Sequence, residues 1–124
     1  MEWTRPLAVV STTDKPRKDD LVGSLVVITL RAYDPAFPTE YGTNAMAEFD
    51  LVVVEGRHAG YREAGRREFG TLARQVGTAL QPGQTALGRY ASGNGSGGRS
   101  WFGVTWADDP ADFKAAEAAM ATPF

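Results

Sequence analysis

Hydrophobic positions along the chain fall mostly into short runs broken by glycine and proline, and only twice into runs with helical spacing. Leu21 to Leu30 is the first strong run; it is rich in β-branched residues, and Gly23 marks a bend or bulge within it. Ala32 to Asn44 carries Pro35, Pro38 and Gly42 and reads as a long loop. In Ala47 to Glu55, Glu48 and Asp50 alternate with Phe49 and Leu51 before an unbroken apolar stretch, as in a strand passing from half-exposed to buried. Gly56 and Gly60 bracket a turn, and Tyr61 to Glu68 fits either a third strand or the approach to a helix. Phe69, Leu72, Ala73 and Val76 then recur at helical spacing, with Arg74 opposite and Gly77 placed to end the helix. Thr85 to Tyr90 and Ser100 to Trp106 read as two more strands, separated by a glycine-rich mobile loop from Ser92 to Gly98. Asp109 and Pro110 open a last helix: Asp109 caps it, Pro110 suits its first position, and Asp112 suits the positive end of its dipole. Phe113, Ala116 and Met120 give that helix one apolar stripe.

This order predicts a mainly β protein: a five-stranded OB-fold barrel with a helix between the third and fourth strands and a short C-terminal helix. The barrel would span residues 20–124, with the last helix from about 109, and a flexible arm rich in proline, threonine and charge would occupy residues 1–19. A length of 124 residues suits one domain, and 43% hydrophobic residues suffice for a core. Cysteine is absent and His58 is the one histidine, which excludes a disulfide framework and a cysteine-based zinc site and leaves no expectation of a metal or cofactor. Leu7 to Val10 is too short for a signal-peptide core, and no apolar run approaches a membrane span. The expected location is therefore the cytoplasm.

Charge changes the picture more than composition does. The net charge is −2, yet the segment from Arg57 to Arg99 holds seven arginines against Glu63 and Glu68, a local excess of +5. Guanidinium groups suit phosphate because their planar fork donates in pairs and stacks on rings. Aromatic residues interleave with them: Tyr33, Phe37 and Tyr41, then Tyr61 and Phe69, then Tyr90, Trp101, Phe102 and Trp106. Cations along a groove beside open rings are what binding of a single strand without sequence preference requires. Alternation in the last strand puts Trp101 and Trp106 on opposite faces; Trp106 is expected in the core and Trp101 at the surface. The candidate phosphate contacts are Arg57, Arg62, Arg66, Arg67, Arg89 and Arg99, and the candidate stacking rings are Tyr33, Tyr41, Tyr90 and Trp101. With about four phosphates neutralised, log affinity would fall with log salt at a slope near −3. The plainer reading of the same arginines is a solvated surface.

Catalytic motifs are lacking. Gly93 to Ser100 has P-loop spacing with Arg99 in place of lysine, but a strand rather than a helix is expected after it. His58 has no serine or acid at a motif spacing, and helix capping accounts for Asp109 and Asp112. The expected protein is a binding protein, not an enzyme.

Several stretches, taken in order, resemble a family of small proteins of actinobacterial phages and their hosts that are described as OB-fold or single-stranded-DNA-binding-like. They are Leu21 to Ile28, Phe37 to Gly42, the strand ending at Gly56, Leu72 to Gly77, Leu87 to Tyr90, and Trp101 to Asp112. The resemblance runs from about Asp20 to Ala119. It implies single-stranded DNA binding in phage or host DNA replication, recombination or repair, with proteins of those processes as partners and the host cytoplasm as the location if the protein is phage-encoded. The chain departs from the pattern in its extra arginines between Arg57 and Arg67 and its glycine-richer loop. Pro123 and Phe124 resemble the tip of bacterial single-strand-binding proteins, without the acidic run that precedes it there. Two other readings stand beside this one: RNA binding, and an adaptor that docks an acidic protein through its arginine-rich face or self-assembles through an edge strand into a homo-oligomer.

Overall fold

The computed structural model describes residues 15–94 and 100–121. Expectations for residues 1–14, for the loop residues 95–99, Arg99 included, and for Pro123 and Phe124 lie outside them. Along the chain come α1 (Lys18–Leu21), β1 (Leu25–Thr39), β2 (Gly42–Glu55), β3 (Arg62–Phe69), α2 (Thr71–Ala79), β4 (Thr85–Asn94), β5 (Ser100–Trp106) and α3 (Pro110–Ala121). The five strands form one antiparallel sheet in the order β3-β2-β1-β4-β5. Mainly β architecture, five strands and both expected helices are thus present. The sheet is not closed: no pairing joins β3 to β5 among the described residues.

The pleat gives the sheet two unequal faces. On the inner face Val26, Ile28 and Leu30 of β1 join Ala45, Ala47, Phe49, Leu51 and Val53 of β2, and α2 covers them with Leu72, Ala73 and Val76. Tyr90, Val104 and Leu21 complete this core, with Trp106 packed against it. On the outer face a smaller cluster of Leu25, Val27 and Leu87, flanked by Val52 and Val54, is covered by Ala116 of α3. The rest of the stripe expected to bury α3 does not: Phe113 and Met120 are 44% and 48% exposed. Asp109 caps α3 as its sequence suggests, accepting from the Ala111 N–H at 2.9 Å. No helix among the described residues is long and apolar enough to cross a membrane.

The stretch read as a loop from Ala32 to Asn44 is a two-stranded ribbon, closing on Glu40 and Tyr41 with Thr39 paired to Gly42. Pro35 and Pro38 do not break β1: Pro35 lies in the register irregularity between Asp34 and Phe37, and β4, the neighbour on the side away from β2, pairs with β1 only as far as Thr29. The helix starts later than expected: Phe69 ends β3, and Gly70, at φ +75°, turns the chain into α2. The last residues of the expected arm are docked. Lys15 pairs with Glu63 of β3, the Pro16 carbonyl accepts from Arg66, and the Lys18 ammonium sits 5.0 Å from the Phe102 ring of β5. This segment therefore touches both edge strands of the open sheet.

Gly77 does not end α2 but lies inside it, because the Tyr33 ring rests where a Cβ would stand. A glycine-to-alanine change inside a helix ordinarily gains about 1 kcal/mol. Here the collision should outweigh that gain, since overpacking costs about 1–3 kcal/mol. Gly77→Ala is expected to lower the urea midpoint, and the same change in a Tyr33→Ala background to raise it; urea titration of the four proteins checks both signs.

Candidate nucleic-acid interface

The arginines do not gather on one open face. β3 alternates strictly at its end, so Arg66 and Glu68 point inward while Arg67 and Phe69 point out. Arg66 is 5% exposed. Its Nε donates to Glu68 Oε2 at 2.8 Å, and its Nη1 to Glu63 Oε1 and to the Pro16 carbonyl, both at 2.9 Å. Tyr90 is 1% exposed and donates its hydroxyl to Glu68 Oε2 at 3.1 Å. Tyr61 donates to Glu63 Oε1 at 3.0 Å. A desolvated guanidinium must be paired to be tolerated, and two carboxylates do this for Arg66. Arg66 and Tyr90, expected to meet phosphate and base, are structural.

Three more expected contacts are engaged within the chain. Arg89 bonds to the Gly23 carbonyl at 3.1 Å, to Glu55 at 3.2 Å and to Asp112 of α3 at 3.1 Å. Arg62 donates to the Ala119 carbonyl near the end of α3 at 3.0 Å. Tyr33 is half-buried against Gly77. Arg57 is exposed in its turn and makes no ion pair with the described residues. Trp101 is 39% exposed, its indole laid over Gly93, where a Cβ would meet the ring at 2.6 Å. Trp106 packs on the core and Trp101 does not, as alternation predicts.

What the structure does bring together lies on the outer face at the base of the ribbon. Phe37 and Phe69 are 6.0 Å apart between ring centroids, tilted by 56°. Arg67 lies 5.6 Å from the Phe37 centroid, within cation–π range, and pairs with Glu48 at 3.1 Å. Its side chain remains 53% exposed. Tyr41, at the ribbon tip, is 93% exposed. The tip is braced by Thr39, whose hydroxyl donates to the Gly42 carbonyl and accepts from the Tyr41 N–H at 3.2 Å. The sequence reading missed Phe37 and Phe69 as site residues. The available signal was Gly70, which separates Phe69 from the helix and leaves it on a strand.

Other features offer less. An open cavity of about 480 Å³ beside Tyr33, lined by Leu30, Leu80, Gln81 and Pro82 among others, carries no charged side chain. The Nε2 of His58 is buried without a hydrogen-bond partner among the described residues. No protein-family model matches the sequence, and comparisons with curated proteins and with solved structures found no match.

The buried network makes two measurable demands. Removing the guanidinium strands Glu63 and Glu68, so Arg66→Ala should cost about 3–5 kcal/mol in denaturant unfolding. Burial raises the Glu63 carboxyl pKa, but hydrogen bonds from Lys15, Arg66 and Tyr61 prevail and hold it below the ordinary 4.5. A depressed folded value means that the stabilisation is present above pH 4.5 and lost as pH falls through the folded value. Glu63→Gln should lower stability at pH 7 and flatten the decline below pH 4.5, read from urea midpoints across that range.

Proposed function

We propose that the chain binds single-stranded DNA without strong sequence preference, through an aromatic platform on the outer sheet face, as a non-enzymatic protein of the cytoplasm. The observation that carries this is the Phe37–Phe69 pair with Arg67 over Phe37, beside the ribbon that ends in Tyr41. Aromatic faces accept any base, at about 1–3 kcal/mol per stacked base. A guanidinium beside them can meet the phosphate that follows. The strand order supports the reading too: β3-β2-β1-β4-β5 with a helix between β3 and β4 is the order of an OB barrel opened between its third and fifth strands. In that fold the face of strands two and three and the loop joining strands one and two hold oligonucleotides, and here Phe69, Arg67 and the ribbon occupy those places. Roles in replication, recombination or repair, in a phage or its host, follow from the resemblance alone.

This reading differs from the one built on arginine count. Arg66 and Arg89 face the chain's own carboxylates, and Arg67 pairs with Glu48 but stays 53% exposed, so one or two guanidiniums remain for phosphate near the platform. The salt slope for oligo-dT should then lie near −1, well short of −3. Phe37→Ala and Phe69→Ala should each weaken binding about tenfold or more, while Trp101→Ala should have a smaller effect. Titration of oligo-dT, oligo-U and duplex DNA at two salt concentrations checks these values. Preference for oligo-U would favour RNA, and absence of binding to any of the three would remove the proposal. An edge-to-edge assembly through the ribbon is disfavoured by Pro35 and Pro38, which interrupt donors along its free β1 edge.

A further inference from the structure

The outer face that carries the platform does not end there. Along β2 the outward positions are Glu48, Asp50, Val52 and Val54, because Phe49, Leu51 and Val53 point into the main core. Glu48 pairs with Arg67 at the platform, and Asp50 pairs with Arg31 at 2.6 Å. Val52 and Val54 lie in the small cluster that α3 covers. From Glu48 to Val52 is about 13 Å along a strand, within the span of a short oligonucleotide.

α3 is held on this face by little. Ala116 is its one buried residue, and Phe113 and Met120 stand largely in solvent. Two of the arginines that sequence assigns to phosphate are among its anchors. Arg89 grips Asp112 in the first turn, and Arg62 grips the Ala119 carbonyl in the last. Both anchors are groups for which a backbone phosphate competes directly, since it offers a guanidinium acceptor oxygens with the same single negative charge as the Asp112 carboxylate and more than the Ala119 carbonyl. Beneath α3 lie Leu25, Val27 and Leu87, an apolar surface of the kind on which sugars and bases pack.

We propose that α3 is a displaceable cover over the second half of the strand-binding face. A single strand seated on the Phe37–Phe69 platform continues along β2 and takes the place of α3 on Arg62, Arg89 and the Val52–Val54 surface. The inference rests on the platform reading and extends it: short strands use the platform alone, and longer ones open the cover.

The test uses the full chain. Ala116→Gln inserts a larger, uncharged side chain at the point of closest contact and should lift α3 from the sheet. The variant should bind a twenty-nucleotide oligo-dT about tenfold more tightly than the unaltered protein, with a salt slope steeper by about 1.4 for two further phosphates contacted. Binding of a four-nucleotide oligo-dT should be unchanged. Equal affinity and slope in a variant whose α3 amides exchange freely would overturn the cover while leaving the platform standing. Should Ala116→Gln not fold, hydrogen exchange on the unaltered protein decides: saturating long oligo-dT should reduce protection at residues 113–121, and unchanged or increased protection would overturn the proposal. Binding by the variant but not by the unaltered protein supports the cover and shows the platform alone to be insufficient. Binding by neither ends both readings.

Discussion

The β1–β2 ribbon outruns both of its neighbours, and most of the functional geometry follows from that. β4 pairs with β1 only to Thr29, and β3 pairs with β2 only to Met46. A two-stranded ribbon is marginal by itself and must find packing on its faces. On the inner side Tyr33 settles on the glycine that α2 leaves bare at position 77. On the outer side Phe37 meets Phe69, the last residue of β3. The contact that steadies the ribbon is therefore also the pair of rings on which the proposed binding rests, and the tip carrying Tyr41 is held out beyond it.

Electrostatics in this chain mostly serve the fold. Arg66 sits between Glu63 and Glu68, with Tyr90 and the Lys15–Pro16 segment bound to the same group of atoms. That network links β3, β4 and the segment before α1. Arg89 and Arg62 hold the two ends of α3. A local excess of positive charge in the sequence thus became a set of internal ties, with Arg57 and Arg74 the exposed exceptions that lack an ion pair among the described residues. The proposed binding therefore rests on specific stacking and not on charge density.

The order of strands and helices along the chain was legible because it depends on local pattern: β-branched runs, the Asp109–Pro110 start, and the spacing of Leu72, Ala73 and Val76. The ribbon was not legible. Proline and glycine read as breakers, and whether Pro35 and Pro38 break a strand depends on whether another strand needs their N–H groups. The fate of the arginines was hidden for a similar reason. Whether Arg66 or Arg67 faces inward is decided by the pairing of β3 with β2, where Arg66 stands opposite Phe49 and Arg67 opposite Glu48. Tyr90 looked like a surface ring beside a flexible loop, yet its register with Val104 places it in the core.

The central claim is that the rings of the ribbon base, not the arginine-rich segment as a whole, meet the bases. Photo-cross-linking with an iodouracil-substituted oligo-dT, followed by peptide mass spectrometry, locates that contact directly. The account predicts adducts at Phe37, Tyr41 and Phe69. Adducts confined to Trp101 or to the turn around Arg57, with the ribbon unlabelled, would contradict it.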